Sequence, residues 1–209
     1  MTRRKLSGSA SKGTPELEVL PVTRERFSDL ERLFGPRGAC GGCWCMWWRL
    51  TAREFDAMKG EENRAALAAL VDRGEVPGLL AYSGSEPVGW CSVAPRETFP
   101  RLERSRLLRR VDDERVWSIV CFYVARAERG RGVMTALVRG AIDYVQSQGG
   151  RIVEAYPVVP KKERTPAVFL FPGTPGPFLA AGFREVARRS ENRPMLRYVI
   201  GATPSGRAG

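Results

Sequence analysis

Val116-Trp-Ser-Ile-Val-Cys-Phe-Tyr-Val124, then Ala125-Arg-Ala-Glu-Arg-Gly-Arg-Gly132, then Val133 to Gln148 read in succession as a strand, a turn and a helix. The strand is a near-continuous apolar run rich in β-branched and aromatic residues, the pattern of a strand covered on both faces. In the turn, Arg129-Gly-Arg-Gly132 leaves successive backbone N–H groups free to converge on one point. The following helix aims the positive end of its dipole at that point. It carries Val133, Leu137, Ala141 and Val145 at helical spacing and is stopped by Gly149-Gly150. Together these parts make an anion cradle. It is not the dinucleotide fingerprint G-x-G-x-x-G, because Gly130-Arg-Gly-Val-Met-Thr135 lacks the third glycine, and it is not a loop ending in G-K-[ST]. What remains is a phosphate cradle of the R-G-x-G kind.

Outward from this stretch the chain alternates short strands and helices. Before it, Leu17 to Val22 reads as a first strand, and Thr23 stands where it would N-cap a helix bearing Phe27, Leu30, Leu33 and Phe34. Thr51 and Glu54 have capping-box spacing for a short helix with Phe55 and Met58. Glu61 to Asp72 reads as another helix, with Gly74 at its end. Pro77 to Tyr82 and Pro87 to Val93 flank Ser83-Gly-Ser-Glu86, a hairpin signal. Residues 95–115 are arginine-rich, with a helical turn expected around Leu102 to Leu108. After the cradle helix come a strand at Arg151 to Tyr156, a proline-rich loop to Pro177, a short helix at Phe178 to Phe183, and two strands, Arg184 to Arg189 and Pro194 to Ile200. The order β-α-α-β-β-β-α-β-α-β-β predicts a mixed α/β fold with central hairpins, not a doubly wound sheet.

The 209 residues fit one domain, expected at 16–200, with a disordered basic arm at 1–15 and a disordered tail at 201–209. There is no run of 18 apolar residues and no apolar signal core, so the expectation is a cytoplasmic protein without a membrane partner. Net charge is +11, and histidine is absent, which excludes imidazole as base or metal ligand. Bulk charge allows a nucleic-acid binder or an enzyme handling a polyanionic ligand. The arginines are scattered and not interleaved with aromatics, so a nucleic-acid partner is not expected. Cys40, Cys43 and Cys45 form a single knuckle where structural zinc needs four ligands, so no metal is expected.

The sequence resembles the GNAT superfamily of acyl-CoA-dependent N-acyltransferases. The resemblance is carried by Phe122-Tyr-Val124, Arg129-Gly-Arg-Gly-Val133, the helix after it, Phe178-Leu-Ala-Ala-Gly-Phe183 with two strands following, and the element order over about residues 16–200. It implies a GNAT-like, mostly antiparallel sheet flanked by helices, with acetyl-CoA as co-substrate and a small-molecule or peptide amine as acceptor. It also implies that backbone groups of Phe122, Tyr123 and Val124 hold the pantetheine arm, and those of Arg129, Gly130, Arg131, Gly132, Val133, Met134 and Thr135 the pyrophosphate. Homodimers are frequent in the superfamily, so a homodimer is among its implications.

Two departures concern proton transfer. Phe178 stands where the family often has a tyrosine acid, and Ser118 where it often has a Glu or His base. Ser118 can order a water but is no base near neutral pH. Glu154 and Tyr156 share a sheet face by alternation. This makes Glu154 the candidate relay base, with a salt bridge to an arginine as the competing role. In Cys40-Gly-Gly-Cys-Trp-Cys-Met-Trp-Trp-Arg49, the residues Trp44, Trp47 and Trp48 read equally as core or as the acceptor wall. Arg49 reads as an anchor for a substrate carboxylate. The alternative is a non-catalytic or nucleic-acid-binding module on the same fold.

Overall fold

The computed structural model describes residues 17–160 and 165–202, so the expected arm and most of the expected tail lie outside the described residues. Seven strands form one sheet: β1 (Leu17–Pro21), β2 (Leu79–Ser83), β3 (Glu86–Pro95), β4 (Trp117–Val124), β5 (Ile152–Ala155), β6 (Arg184–Arg188) and β7 (Pro194–Val199). They lie in the order β1-β2-β3-β4-β5-β7-β6. Every neighbouring pair is antiparallel except β4 and β5, which run parallel. The helices are α1 (Phe27–Phe34), α2 (Ala52–Ala57), α3 (Glu61–Asp72), α4 (Pro100–Glu103), α5 (Val133–Ser147) and α6 (Pro175–Ala180).

Local chemistry explains most boundaries. At α2 the capping box forms as the spacing predicts, with Glu54 N–H donating to Thr51 Oγ1 at 3.3 Å and Thr51 N–H to Glu54 Oε2 at 2.8 Å. The β2–β3 hairpin closes on Gly84 at φ 60°. Two expectations are corrected. Thr23 makes no side-chain cap; a 3₁₀ turn at Arg24–Arg26 intervenes, and α1 begins only at Phe27. The helical turn expected at 102–108 lies earlier, at α4, because Pro100 presets the first helical dihedral.

The sheet is covered on both faces. On one, α1, α3, the segment around Trp44–Trp48 and Phe99, Leu102 and Leu108 pack against Trp90, Val120, Cys121 and Tyr156. On the other, α5 and Phe178 of α6 pack against Cys91, Ile119, Phe122 and Val153.

Two irregularities in β4 shape the middle of the sheet. Ser92 pairs with Cys121 and Val93 with Ile119, so Val120 is an extra residue, a β-bulge. As a result Val120 and Cys121 both face the α1 side, where strict alternation would separate them. In addition, β4 pairs with β5 only from Trp117 to Ile119, so the two strands part beyond that point.

Candidate active site

At the carboxyl end of β4 the chain turns through Arg126–Glu128 into the two glycines. Gly130 has φ 77° and Gly132 φ 80°, the left-handed region where a side chain is strained. Among the described residues other than their chain neighbours, nothing lies within 4 Å of a Cβ built on either, so the space in front of them is open. Gly132 is the N-cap of α5, without a side-chain cap and with no acidic residue in the first turn. Helical bonding starts with Ala136 N–H donating to Gly132 O at 3.0 Å, leaving the N–H groups of Val133, Met134 and Thr135 ahead of the first intrahelical bond. Arg129 Nε donates to Val124 O at 3.3 Å, which ties the turn to the strand, and Arg131 neutralises Glu128 at 3.0 Å. Open, glycine-lined and, among the described residues, with no acidic residue in the first turn of α5 and Glu128 paired with Arg131, the cradle fits a pyrophosphate.

At the other end of the parting strands lies a buried polar cluster. Ser118 Oγ is 2.8 Å from the Tyr156 hydroxyl, and Tyr156 donates to Glu154 Oε2 at 2.7 Å. Ser118, Tyr156 and Glu154 are at most 1% exposed. The alternation that places Glu154 and Tyr156 on one face therefore brings them into direct contact. Arg96, wholly buried, donates to Glu154 Oε2 at 3.2 Å and to the Tyr156 hydroxyl at 2.9 Å. Arg197 donates to Glu154 Oε1 at 2.6 Å and is itself paired with Asp112. Glu154 thus occupies the salt bridge expected as its competing role and the hydrogen-bond chain as well. Burial, reinforced by the adjacent Glu154 carboxylate, pushes the Tyr156 phenol far above its ordinary range, so it stays neutral.

The tryptophans differ in burial and in contacts. Trp44 is a core residue, 6% exposed, with its ring 5.7 Å from Phe34 and against Gly38. It and Cys45 are held at φ 41° and 56°, a backbone strain of about 1–3 kcal/mol each. Trp48 donates from Nε1 to Val120 O, the carbonyl of the bulge, at 3.0 Å. Trp47 is 38% exposed and lies beneath the Arg101 guanidinium at 3.9 Å. Both Trp47 and Trp48 face Phe171, at ring separations of 6.4 and 6.5 Å.

Arg49 sits 4.9 Å above the Phe99 ring and donates to Pro77 O at 3.3 Å, while its buried Nε has no hydrogen-bond partner among the described residues. Burial draws its pKa down to about 10. Phe178, wholly buried against Phe122 and Phe183, offers no acid. Among the described residues no group of three or more His, Cys, Asp or Glu is arranged to hold a metal ion. No helix of the described residues is long and apolar enough to cross a membrane.

Sequence reading missed Arg96, Arg197 and Phe171. Arg96 is one of six arginines between 96 and 110, and no periodicity singles out the buried one. Phe171 lies in a proline-rich loop with no strand signal.

No curated protein matches the chain in sequence. Several solved structures share the fold. One is the NatC complex bound to Gag peptide and CoA, at 12% identity, covering 88% of this chain and 99% of that one with a TM-score of 0.50. Another is an N-acetyltransferase from Staphylococcus aureus Mu50, at 11% identity, with 88% and 98% covered and a TM-score of 0.50. A third is described as histone acetyltransferase HPA2 and related acetyltransferase from Corynebacterium glutamicum ATCC 13032, at 17% identity, with 90% and 99% covered and a TM-score of 0.50. At these identities the likeness is one of fold. The sequence itself matches the acetyltransferase (GNAT) family over residues 44–171, a span that includes the bulge, the cradle, α5 and the Ser118–Tyr156–Glu154 chain. The chain belongs to the GNAT acetyltransferase family, whose members transfer an acyl group from acyl-CoA.

Proposed function

We propose that the chain transfers the acetyl group of acetyl-CoA to a primary amine of a small molecule or peptide by direct attack of that amine. The observation that carries this reading is the parting of β4 from β5 beyond Ile119, with the Gly130–Gly132 cradle at one end and Ser118–Tyr156 at the other. When bound, acetyl-CoA supplies an activated thioester carbonyl and a thiol leaving group.

In this reading the backbone N–H groups from Arg129 to Thr135 hold the pyrophosphate, and the β4 backbone from Phe122 to Val124 orients the pantetheine arm. Trp47 and Trp48 wall the acceptor, and Arg49, whose buried Nε has no hydrogen-bond partner among the described residues, attracts an acidic group on it. The amine must lose a proton to become a neutral nucleophile. Tyr156 donates its hydroxyl proton to Glu154, which leaves the phenol oxygen to accept from Ser118 and the Ser118 oxygen to accept from an ordered water. A proton released to that water moves to Ser118 as the Ser118 proton moves to Tyr156 and the Tyr156 proton to Glu154, which ends as the acid. Arg96 and Arg197 hold Glu154 in line and act as positioning residues.

The direct experiment is a screen of amines with detection of released thiol, run on wild-type protein and Tyr156→Phe. The substitution interrupts the chain but keeps both guanidiniums on Glu154. We expect turnover to fall about 100-fold, the scale of general-base assistance, with the acetyl-CoA KM unchanged. Equal turnover at every pH would remove the relay; no thiol release with any amine would count against amine acetylation.

A further inference from the structure

The gap between the parting strands is filled by the chain itself. Residues 171–173 run through it. On one wall the Phe122 N–H donates to the Phe171 carbonyl at 2.6 Å; on the other, the Val158 N–H donates to the Gly173 carbonyl at 2.8 Å. The segment therefore pairs with both walls as an inserted strand does. It also reaches both faces of the sheet. The Phe171 ring lies against Trp47 and Trp48 on the α1 side. On the α5 side, Gly173, at φ 88°, packs on Met134, Phe122 and Phe178, and a Cβ there would displace the Met134 methyl. Phe122 is the residue whose backbone the family resemblance assigns to the pantetheine arm, and its N–H is already taken.

Two features suit the segment to leaving this place. The segment's own turns are short-range, with Phe169 N–H donating to Pro166 O at 2.9 Å and Gly173 N–H to Leu170 O at 2.8 Å, so it is a local unit able to move without unravelling the sheet. Two of its large apolar side chains, Val168 and Phe169, are 48% and 63% exposed, left in water in this position.

We infer that residues 165–173 are a strap that occupies the pantetheine channel in the free protein, withdraws when the coenzyme enters, and uncovers Trp47 and Trp48 as it leaves. The inference rests on the proposed course of the pantetheine arm along β4. A carbonyl of the arm's amides accepts the Phe122 N–H as the Phe171 carbonyl does, so coenzyme and strap are mutually exclusive ligands of one donor. The coenzyme's measured affinity is then its intrinsic affinity reduced by the fraction of molecules with the strap in. The same exclusion sets an order: while Phe171 covers Trp47 and Trp48, the acceptor wall is closed, so the acceptor follows the coenzyme.

Coenzyme A itself is the probe. By calorimetry, Phe171→Ala is expected to bind it about tenfold more tightly than wild type, because the ring contacts with Trp47 and Trp48 that hold the strap in are lost. By hydrogen exchange on the wild-type protein, amides over 166–174 are expected to exchange faster with saturating coenzyme A than without it. Coenzyme A binding with equal affinity to both proteins, or with unchanged or slowed exchange over 166–174, overturns the strap and leaves the coenzyme site standing. Binding to neither protein removes the coenzyme site, and the strap with it. Binding to Phe171→Ala alone supports the strap in its strongest form.

Discussion

At the scale of single residues, the cradle turns on a conformation before it turns on contacts. Gly132 holds φ 80° with open space where a Cβ would stand, so Gly132→Ala meets no clash. It adds a left-handed strain of about 1–2 kcal/mol and a methyl group in front of the N–H groups that open α5. We expect the acetyl-CoA dissociation constant to rise about tenfold, equivalent to about 1.4 kcal/mol, with the fold retained. Calorimetry with acetyl-CoA reads this directly, and an unaltered constant would remove Gly132 from the site. This pair of glycines was legible in the sequence because a conformational need leaves its mark on residue type. So was the shared face of Glu154 and Tyr156, which strand alternation fixes and on which the two are hydrogen-bonded. Arg96 was not legible. Its burial depends on Leu108 O and on Glu103, Glu154 and Tyr156, partners spread from 7 to 60 residues away. Arg49 was singled out only as an anchor for a substrate carboxylate, and its stacking on Phe99 left no trace in the pattern.

At the scale of elements, the position of the cradle depends on how closely α5 lies on the sheet. Gly89 on β3 has no side chain, and a Cβ there would come 2.5 Å from Val133 Cγ1 and 3.1 Å from Leu137 Cδ1. Gly140 does the same from the helix side, where a Cβ would meet Val19 Cγ1 at 2.5 Å. Val133 is the first residue of α5, so anything that lifts it moves the N–H groups of the cradle. Gly89→Ala is therefore expected to destabilise the protein by about 1–3 kcal/mol and to weaken acetyl-CoA binding along with it. A thermal melt paired with a coenzyme titration checks both, and loss of stability with full affinity would uncouple helix docking from the site. The strands, the hairpin and α5 were readable because periodicity and glycines are local signals. The bulge at Val120 and the parting of β4 from β5 were not. Both strands are apolar apart from Ser118 and Glu154, and pairing that stops at Ile119 looks the same in sequence as pairing that continues.

At the scale of the whole molecule, ionisable groups tune stability at both ends of the pH range. Histidine is absent, so no imidazole titrates between them. Asp112 is held below its ordinary value by Arg197. Glu103 is as well: burial opposes this, but hydrogen bonds from Arg96 and Arg110 outweigh it. Depressed carboxyl pKa values stabilise the fold above the unfolded values and lose that contribution as pH falls below about 4. The thiols act in the opposite sense. Burial pushes Cys43 up to about 11 and raises Cys91 further, and Cys121 rises through its hydrogen bond to Cys45 together with burial. A raised thiol pKa means the unfolded chain releases its proton first. Stability is then complete below the unfolded value, about 8.5, and falls as pH rises toward the folded one, by about 1.4 kcal/mol per pH unit for each thiol. Urea midpoints measured from pH 8 to 10.5 should decline steadily, before tyrosine ionisation adds to the loss. Cys43→Ser retains a polar group near Gly38 O, which the thiol meets at 3.5 Å, but has no proton to lose in this range. It should flatten the decline by one thiol's share. An identical slope in the variant would show that Cys43 ionises as freely in the folded protein as in the unfolded chain, and that the Cys40–Cys45 loop is not the closed, core-packed plug its contacts with Gly38, Phe34 and Trp90 describe.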